Sequence, residues 1–275
     1  MLDFESDAML GEWFDGLGAW DEARDDVPSP TVTTIAYGPA PEQRVELWAA
    51  EGNGTGPLVV SLHGGYFEAA YDASLHVPVI RQLLADGFRV ANVEYRRIGS
   101  GGGLEETVAD VRAAVAAVAD RAGTTAAGAP RGMAAFGHSA GGYLCGRLAG
   151  VPGVELLLPL AAVSDLAGAS RAGWDDGSIA RWIGAGPDEE PEKYRAADLR
   201  AFVPTGVRHV VLHGDADTVV GAEQSRDYAA ALRRAGDDAR LVEIAGEGHY
   251  GFLDPREPAF AALRDELLRW SAGEG

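Results

Sequence analysis

The sequence predicts an α/β fold in which a mostly parallel sheet is covered by helices on both faces. From residue 58 onward, short apolar runs alternate with longer helical segments, which is the pattern of βαβ units. These runs are apolar throughout, as expected for strands buried on both faces. The chain has 275 residues, of which 47% are hydrophobic, so it can bury a substantial core. Because α/β folds often extend to roughly 200 to 250 residues as one unit, we expect a single domain over residues 1–275.

The chain begins with a predicted helical extension over about residues 1–27. Its apolar residues recur at helical spacing, and they are Leu10, Trp13, Phe14, Leu17 and Trp20. Residues 31–37 and 44–50 are rich in β-branched or alternating apolar residues and are separated by a Gly-Pro-Ala-Pro turn. They predict an antiparallel strand pair that opens the sheet.

The later elements follow in the order strand, helix, strand. The predicted strands are residues 58–62, 88–94, 133–136, 154–163, 207–213 and 239–244, and the predicted helices are residues 75–85, 105–122, 143–149, 222–235 and 258–270. A segment from about 164 to 204 interrupts this alternation. Connections of that length are uncommon unless they are functional. We therefore predict a small cap insertion over the carboxyl edge of the sheet.

A pentapeptide at the end of the predicted strand 133–136 is typical of a nucleophile elbow. It reads Gly137-His138-Ser139-Ala140-Gly141 and lies between a strand and a helix, as the motif requires. The turn is so tight that a side chain two residues either side of the serine would collide with neighbouring backbone. Ser139 is therefore the candidate nucleophile.

A glycine turn directly after the strand 58–62 is a candidate oxyanion hole. It reads His63-Gly64-Gly65-Tyr66, and its N–H groups can point at a substrate carbonyl together with the N–H of Ala140. Gly65 and Tyr66 are the expected donors in the turn. We expect His63 to brace the turn.

Two loops near the C-terminus supply a candidate acid and a candidate base. His213-Gly214-Asp215-Ala216-Asp217 ends one strand, and an acid there can orient a histidine. Asp217 is favoured over Asp215 because it lies farther into the loop. His249 is the only histidine after Asp217, so the chain order is Ser, Asp, His, as expected for an elbow of this type. His76, His138 and His209 are interpreted as structural, and Cys145 as a buried, inert thiol.

Together these motifs resemble the kynurenine formamidase (arylformamidase)-like branch of the α/β-hydrolases, whose pattern overlaps with that of hormone-sensitive-lipase-like carboxylesterases. HGGY at 63–66 resembles the HGGYW of formamidases, Tyr95-Arg96 resembles a Tyr-Arg pair found in both groups, and HGDAD and GHYG resemble their acid and base loops. The resemblance spans about residues 31–270. It implies an α/β-hydrolase fold, with Ser139, Asp217 and His249 as the triad and Gly65, Tyr66 and Ala140 as the oxyanion hole. Phe67 departs from the pattern, because formamidases carry tryptophan there.

The sequence leaves open which acyl group is cleaved. An acyl-enzyme on Ser139 fits a formamidase, a general carboxylesterase or an acyltransferase, and a non-catalytic binding protein is the alternative that an intact triad disfavours. The expected substrate is a small ester or amide. The expected walls of its pocket are aromatic, namely Tyr66, Phe67, Trp174, Trp182 and Tyr250.

Composition excludes several other partners. The formal net charge is −19, and binding to nucleic acid requires a basic patch that this chain lacks. The sequence contains no CxxC, HExxH or Walker pattern, so we expect no metal and no cofactor. The single cysteine, the acidic N-terminus and the lack of a long apolar stretch predict a cytoplasmic protein without membrane association. The amphipathic N-terminal helix leaves two roles open, a homodimer contact or a position at the entrance of the site.

Overall fold

The computed structural model describes residues 7–22, 24, 27–52, 54–123, 132–173 and 176–274. Among them, one sheet contains eight strands in the order β1-β2-β4-β3-β5-β6-β7-β8. The strands are β1 Pro30–Ala36, β2 Arg44–Ala50, β3 Leu58–Leu62, β4 Arg89–Val93, β5 Met133–His138, β6 Val154–Leu160, β7 Arg208–Gly214 and β8 Ala239–Ile244. The predicted antiparallel opening is confirmed, because β1 pairs with β2, and β2 with β4, in antiparallel register. All other pairs are parallel.

Nine α-helices lie in the described part of the chain. They are α1 Asp7–Glu22, α2 Val77–Ala85, α3 Leu104–Ala119, α4 Ala140–Gly146, α5 Leu166–Ala172, α6 Ser178–Ile183, α7 Pro191–Ala197, α8 Glu223–Ala235 and α9 Pro258–Ser271. None of these helices combines the length and the apolar character that crossing a membrane requires.

Both faces of the sheet are buried, which explains why its central strands are apolar throughout. Alternate side chains of one strand enter different clusters, as Val59 and Val60 of β3 do. The cluster that contains Val60 includes residues of α3, α4 and α8. The cluster that contains Val59 includes residues of α2 and α9. This two-layer covering confirms the α/β-hydrolase fold expected from the sequence.

Several predicted boundaries differ from those observed. The strand predicted over 154–163 ends at Leu160, because Ala161 adopts a φ of 44° and leaves the extended region. The helix predicted over 105–122 is α3, Leu104–Ala119. The segment predicted as a cap, residues 164–204, contains α5, α6 and α7 in its described part, and its role as a cap stays a prediction.

The parallel strands bring four loops to one edge of the sheet. Strands β3, β5, β7 and β8 run in the same direction, so the segments that follow their carboxyl ends meet there. These segments carry the four motifs that the sequence singled out, which are residues 63–66, 137–141, 213–217 and 246–251. In open α/β sheets this edge is where ligands bind.

Candidate active site

Ser139 lies at a strained turn between β5 and α4. Its backbone has φ 57° and ψ −118°, an unfavourable conformation for a residue with a Cβ. A Cβ at Gly137 would overlap the carbonyl oxygen of Gly141, and a Cβ at Gly141 would overlap that of Leu62. The two flanking glycines are therefore required sterically. The turn exposes the serine at the carboxyl edge, with the N-terminus of α4 beside it.

The glycine turn after β3 lies directly against this elbow. A Cβ at Gly64 would lie 2.8 Å from the carbonyl oxygen of His138 and 3.2 Å from Cβ of Ser139. The next three residues all have positive φ, which is 107° at Gly65, 55° at Tyr66 and 58° at Phe67. Two residues with a Cβ are thus held in a sparsely populated region, as is common at ligand sites.

A buried ionic network holds the glycine turn from below. His63 is fully buried, donates from Nδ1 to the carbonyl oxygen of Gly64 at 2.7 Å and stacks on Tyr95. Tyr95 donates its hydroxyl to the carbonyl oxygen of His63 at 2.5 Å. Glu94 pairs with Arg97 and lies 3.4 Å from Nε2 of His63. These contacts agree with the expectation that His63 braces the turn.

The charge of Glu94 is stabilised within this network. Burial alone would raise its pKa, but the hydrogen bond and electrostatic attraction of His63, the charge of Arg97 and the N–H of Ala73 hold the pKa at about 2. Glu94 is therefore ionised at neutral pH although it is 2% exposed.

Asp217 contacts His249, and Asp215 does not. Nδ1 of His249 donates to Oδ2 of Asp217 at 2.8 Å. Burial would raise the pKa of Asp217, but electrostatic attraction to His249 and the hydrogen bonds of His213 and His249 hold the pKa well below its usual value. Asp215 instead accepts a hydrogen bond from the N–H of Gly246 at 2.7 Å and so stabilises the loop that carries His249. The carboxylate and the imidazole thus meet as the sequence predicts.

Two further histidines hold this pair in place, and sequence reasoning gave neither of them a role. His213 places Nε2 3.1 Å from Oδ2 of Asp217 and accepts from Ser225 at Nδ1. His138, next to the serine, donates from Nε2 to the backbone carbonyl of His249 at 2.8 Å. Burial lowers the pKa of His138 well below its usual value, so it is neutral. Their positions within HGDAD and GHSAG were the available signals, but the contacts depend on how distant loops meet.

Ser139 borders two cavities of similar size. The first, called here the His249 cavity, encloses about 370 Å³ and includes Gly65, Tyr66, His249 and Tyr250 in its lining. Among the described residues no hydrogen bond joins the Ser139 hydroxyl to the imidazole, although both border this cavity. Catalytic hydrogen bonds of this kind are often long before substrate binds.

The second cavity, called here the Val220 cavity, encloses about 350 Å³ on the other side of the serine. Its lining residues are Tyr66, Phe67, Ser139, Ala140, Val163, Ala169, Ser178, Ile179, Val219 and Val220. The two cavities together contact Gly65, Tyr66 and Ala140, the three predicted oxyanion-hole residues. Neither cavity is lined by a carboxylate, lysine or arginine among the described residues.

The predicted aromatic walls are only partly found at these cavities. Tyr66 and Phe67 line the Val220 cavity, and Tyr250 lines the His249 cavity. Trp182 lines neither of them, because its ring stacks on Phe67 at 3.7 Å and its Nε1 donates to Thr107. It supports the wall from behind. Trp174 lies outside the described residues.

The N-terminal helix reaches the site as well. Phe14 of α1 lines the His249 cavity, and Trp13 lies 6.3 Å from the ring of Tyr250. The helical spacing of these residues predicted the helix but did not indicate which surface it covers. Of the two roles left open by the sequence, this contact favours the entrance of the site.

Other reactive groups are not arranged for chemistry in the described part of the chain. Cys145 is fully buried, burial raises the pKa of its thiol, and Sγ donates to the carbonyl oxygen of Ala135. No cluster of three or more His, Cys, Asp or Glu side chains suited to a metal ion occurs among the described residues.

Comparison with known proteins finds a matching family and a similar curated protein. The model of the prolyl oligopeptidase family matches residues 91–271, which include Ser139, Asp217 and His249. The esterase LipC of Mycobacterium tuberculosis is 27% identical over 266 residues, covering 86% of this chain. The chain spans 65% of the length of that relative.

Solved structures of esterases share the fold. Esterase B from Lactobacillus rhamnosis superimposes with a TM-score of 0.73 at 17% identity, covering 97% of this chain and 94% of its own. A truncated carbohydrate esterase from gut microbiota has a TM-score of 0.72 at 20% identity, covering 91% and 99% of the two chains. Esterase 2 of Thermogutta terrifontis has a TM-score of 0.66 at 21% identity, covering 87% and 92%.

Proposed function

The chain belongs to the prolyl oligopeptidase family, and on that premise we propose that it is a serine hydrolase that cleaves small carboxylic esters with Ser139 as nucleophile. The observation that supports this most is the 2.8 Å hydrogen bond between His249 and Asp217 at a cavity that Ser139 also borders. An imidazole held by a carboxylate near a strained, partly exposed serine is the arrangement that acyl transfer needs.

In the proposed reaction, the Ser139 hydroxyl attacks the ester carbonyl while Nε2 of His249 takes its proton. The negative charge on the carbonyl oxygen is stabilised by backbone N–H groups of Gly65, Tyr66 and Ala140, each typically worth about 3 kcal/mol. Collapse of the tetrahedral intermediate breaks the bond to the alcohol, which leaves with the proton from His249. Asp217 keeps the imidazole in the required tautomer and stabilises its charged form.

Water completes the proposed cycle. His249 takes a proton from a water molecule that attacks the acyl group on Ser139, and the second tetrahedral intermediate releases a carboxylic acid and returns the proton to the serine. The uncharged linings of both cavities suit a neutral ester. The acid ionises on release, so it no longer matches the uncharged cavity in which it formed.

A formamidase is the second candidate, supported by the HGGY sequence at residues 63–66. The Val220 cavity favours the ester. A formyl group has no carbon chain to place against the apolar walls of this cavity, whereas a short aliphatic acyl group would bury apolar surface there.

Steady-state kinetics on two substrates separates these candidates. We expect kcat/KM for p-nitrophenyl acetate or butyrate to exceed that for N-formylkynurenine, and Ser139→Ala to abolish both activities while keeping the melting temperature. A reversed preference would assign the formamidase. Product analysis with an added alcohol or amine would reveal acyl transfer, and retention of near-normal turnover by Ser139→Ala would refute the mechanism.

The remaining assignments are also proposals. We propose one α/β-hydrolase domain over residues 1–275 that needs neither metal nor cofactor. A cytoplasmic location and a homodimer stay predictions, which fractionation and sedimentation would test.

A further inference from the structure

The two cavities that Ser139 borders should bind different parts of the substrate. His249 must deliver a proton to the departing alcohol oxygen, so the leaving group has to lie on the side of the His249 cavity. The acyl group then lies on the other side of the serine. The Val220 cavity is therefore the acyl cavity, and this assignment depends on the proposed function.

Three residues with polar side chains line the Val220 cavity in the described structure, namely Ser139, Tyr66 and Ser178. Ser178, the first residue of α6, is 1% exposed. Its Oγ atom is buried and has no hydrogen-bond partner among the described residues. The adjacent Ile179 and the facing Val219 and Val220 are apolar.

The other buried side-chain atoms without a hydrogen-bond partner lie elsewhere in the described structure. They include Nε2 of His76, Oδ1 of Asn92 and Nε of Arg97. None of these residues lines either cavity at Ser139. Ser178 is thus distinguished by its position, because it lines a cavity at Ser139 and rotation about its Cα–Cβ bond would turn the buried hydroxyl toward a ligand there.

An unpaired buried hydroxyl is unfavourable for the free protein. Its hydrogen bonds to water are lost on folding and are not replaced, whereas alanine would fill nearly the same volume without that cost. A polar group of a ligand in the cavity would restore the missing hydrogen bond. Sites built in this way discriminate strongly against ligands that lack the matching group.

We propose that Ser178 is a specificity residue, and that its hydroxyl hydrogen-bonds a hydroxyl or keto oxygen carried by a short, uncharged acyl group. A serine hydroxyl both donates and accepts, so it can pair with either oxygen. The cavity is small and its other walls are mostly apolar, so the rest of the acyl group should be short and aliphatic. The preferred substrate is therefore an ester of a short hydroxy or keto acid.

A set of ethyl esters with one common alcohol tests this inference. The full chain is assayed by acid release on ethyl butyrate, ethyl 2-hydroxybutyrate, ethyl 3-hydroxybutyrate and ethyl 3-oxobutyrate. For the oxygenated ester that the wild type uses best, Ser178→Ala should lower kcat/KM about 10-fold more than it does for ethyl butyrate. Because this ratio compares variants on the same esters, differences in their intrinsic reactivity cancel.

Ile179→Val is the matched control. It removes one methyl group from the same wall without changing hydrogen bonding, so it should change kcat/KM for all four esters by a similar factor. Ser178→Ala should keep the melting temperature, since within the described ranges the hydroxyl has no partner to lose. If it unfolds the protein, Ser178→Cys, which has the same shape and a weaker donor, replaces it.

The outcomes separate this inference from the proposed function. If Ser178→Ala changes kcat/KM for every ester by one factor, Ser178 is not a specificity residue, although the esterase proposal stands. If the wild type hydrolyses none of the four esters, the proposed function fails and this inference fails with it.

Discussion

At the scale of single residues, the carboxylate of Asp217 is the most completely fixed group of the site. Its Oδ1 accepts from the N–H groups of Val219 and Val220, both at 2.8 Å. Its Oδ2 accepts from His249 at 2.8 Å and lies 3.1 Å from Nε2 of His213. Four donors around a side chain with no exposed surface leave the carboxylate one orientation, and that orientation sets the ring of His249.

Replacing this carboxylate should therefore reduce catalysis far more than stability. In Asp217→Asn the amide can present N–H to Nδ1 of His249, which favours the wrong tautomer, so we expect kcat to fall by roughly 10³ to 10⁴. Steady-state kinetics on a p-nitrophenyl ester, with circular dichroism to verify the fold, measures this.

Asp215→Asn is the control for that experiment. Its side-chain oxygen can still accept from the N–H of Gly246, so kcat should change by less than about 3-fold. An equal loss in both variants would show that the loop, and not the carboxylate at 217, carries the effect.

Sequence reasoning found the three proposed triad residues because each follows a readable strand within a local motif. It missed His213 and His138 as supporting residues, since their partners become neighbours only when the loops after β5, β7 and β8 meet. Ser178 could not be found from sequence at all. Only packing determines whether a serine hydroxyl ends without a partner in a cavity.

At the scale of secondary-structure elements, packing overrides local propensity at the elbow. The sequence predicts a helix-like run over 143–149 after the elbow, and the glycines at 141 and 142 that precede it are poor helix formers. The helix α4 nevertheless begins at Ala140. Gly141 lies against the carbonyl oxygens of Leu62 and His63, so a larger residue with better helix propensity would not fit.

The glycine turn after β3 depends on an element below it, the end of β4. Glu94 follows β4 and binds the N–H of Ala73, the ring of His63 and the guanidinium of Arg97. Removing one partner from a buried ion pair leaves an uncompensated charge. We expect Glu94→Gln to lower the free energy of unfolding by roughly 3 kcal/mol at pH 7.

The loss of unfolding free energy in Glu94→Gln should become smaller as the pH falls. The pKa of Glu94 is lowered from 4.5 to about 2 on folding, so its contribution is complete above pH 4.5 and declines as pH falls toward 2. The difference between wild type and Glu94→Gln in urea unfolding should thus shrink between pH 5 and pH 3. The exposed Glu51→Gln is the control and should differ from wild type by less than about 0.5 kcal/mol. A difference for Glu94→Gln that is constant down to pH 3 would contradict the network.

At the scale of the whole molecule, the acidic surface affects departure of the product, whereas the uncharged cavities affect binding of the substrate. The formal net charge is −19, and a field of that sign repels a carboxylate after it leaves the site. A neutral ester is not repelled on approach. The sheet separates the acidic surface from the site. Its carboxyl edge brings together the loops of four strands, and none of the described residues that line the two cavities there is a carboxylate.

Ser139, activated by His249, is the proposed nucleophile of this site. Labelling with a fluorophosphonate, followed by mass spectrometry of the intact protein and its peptides, tests it most directly. We predict one adduct per chain, located on Ser139, absent in Ser139→Ala and formed at least 10²-fold more slowly in His249→Ala. An adduct on another residue, or labelling at the wild-type rate in His249→Ala, would contradict the account.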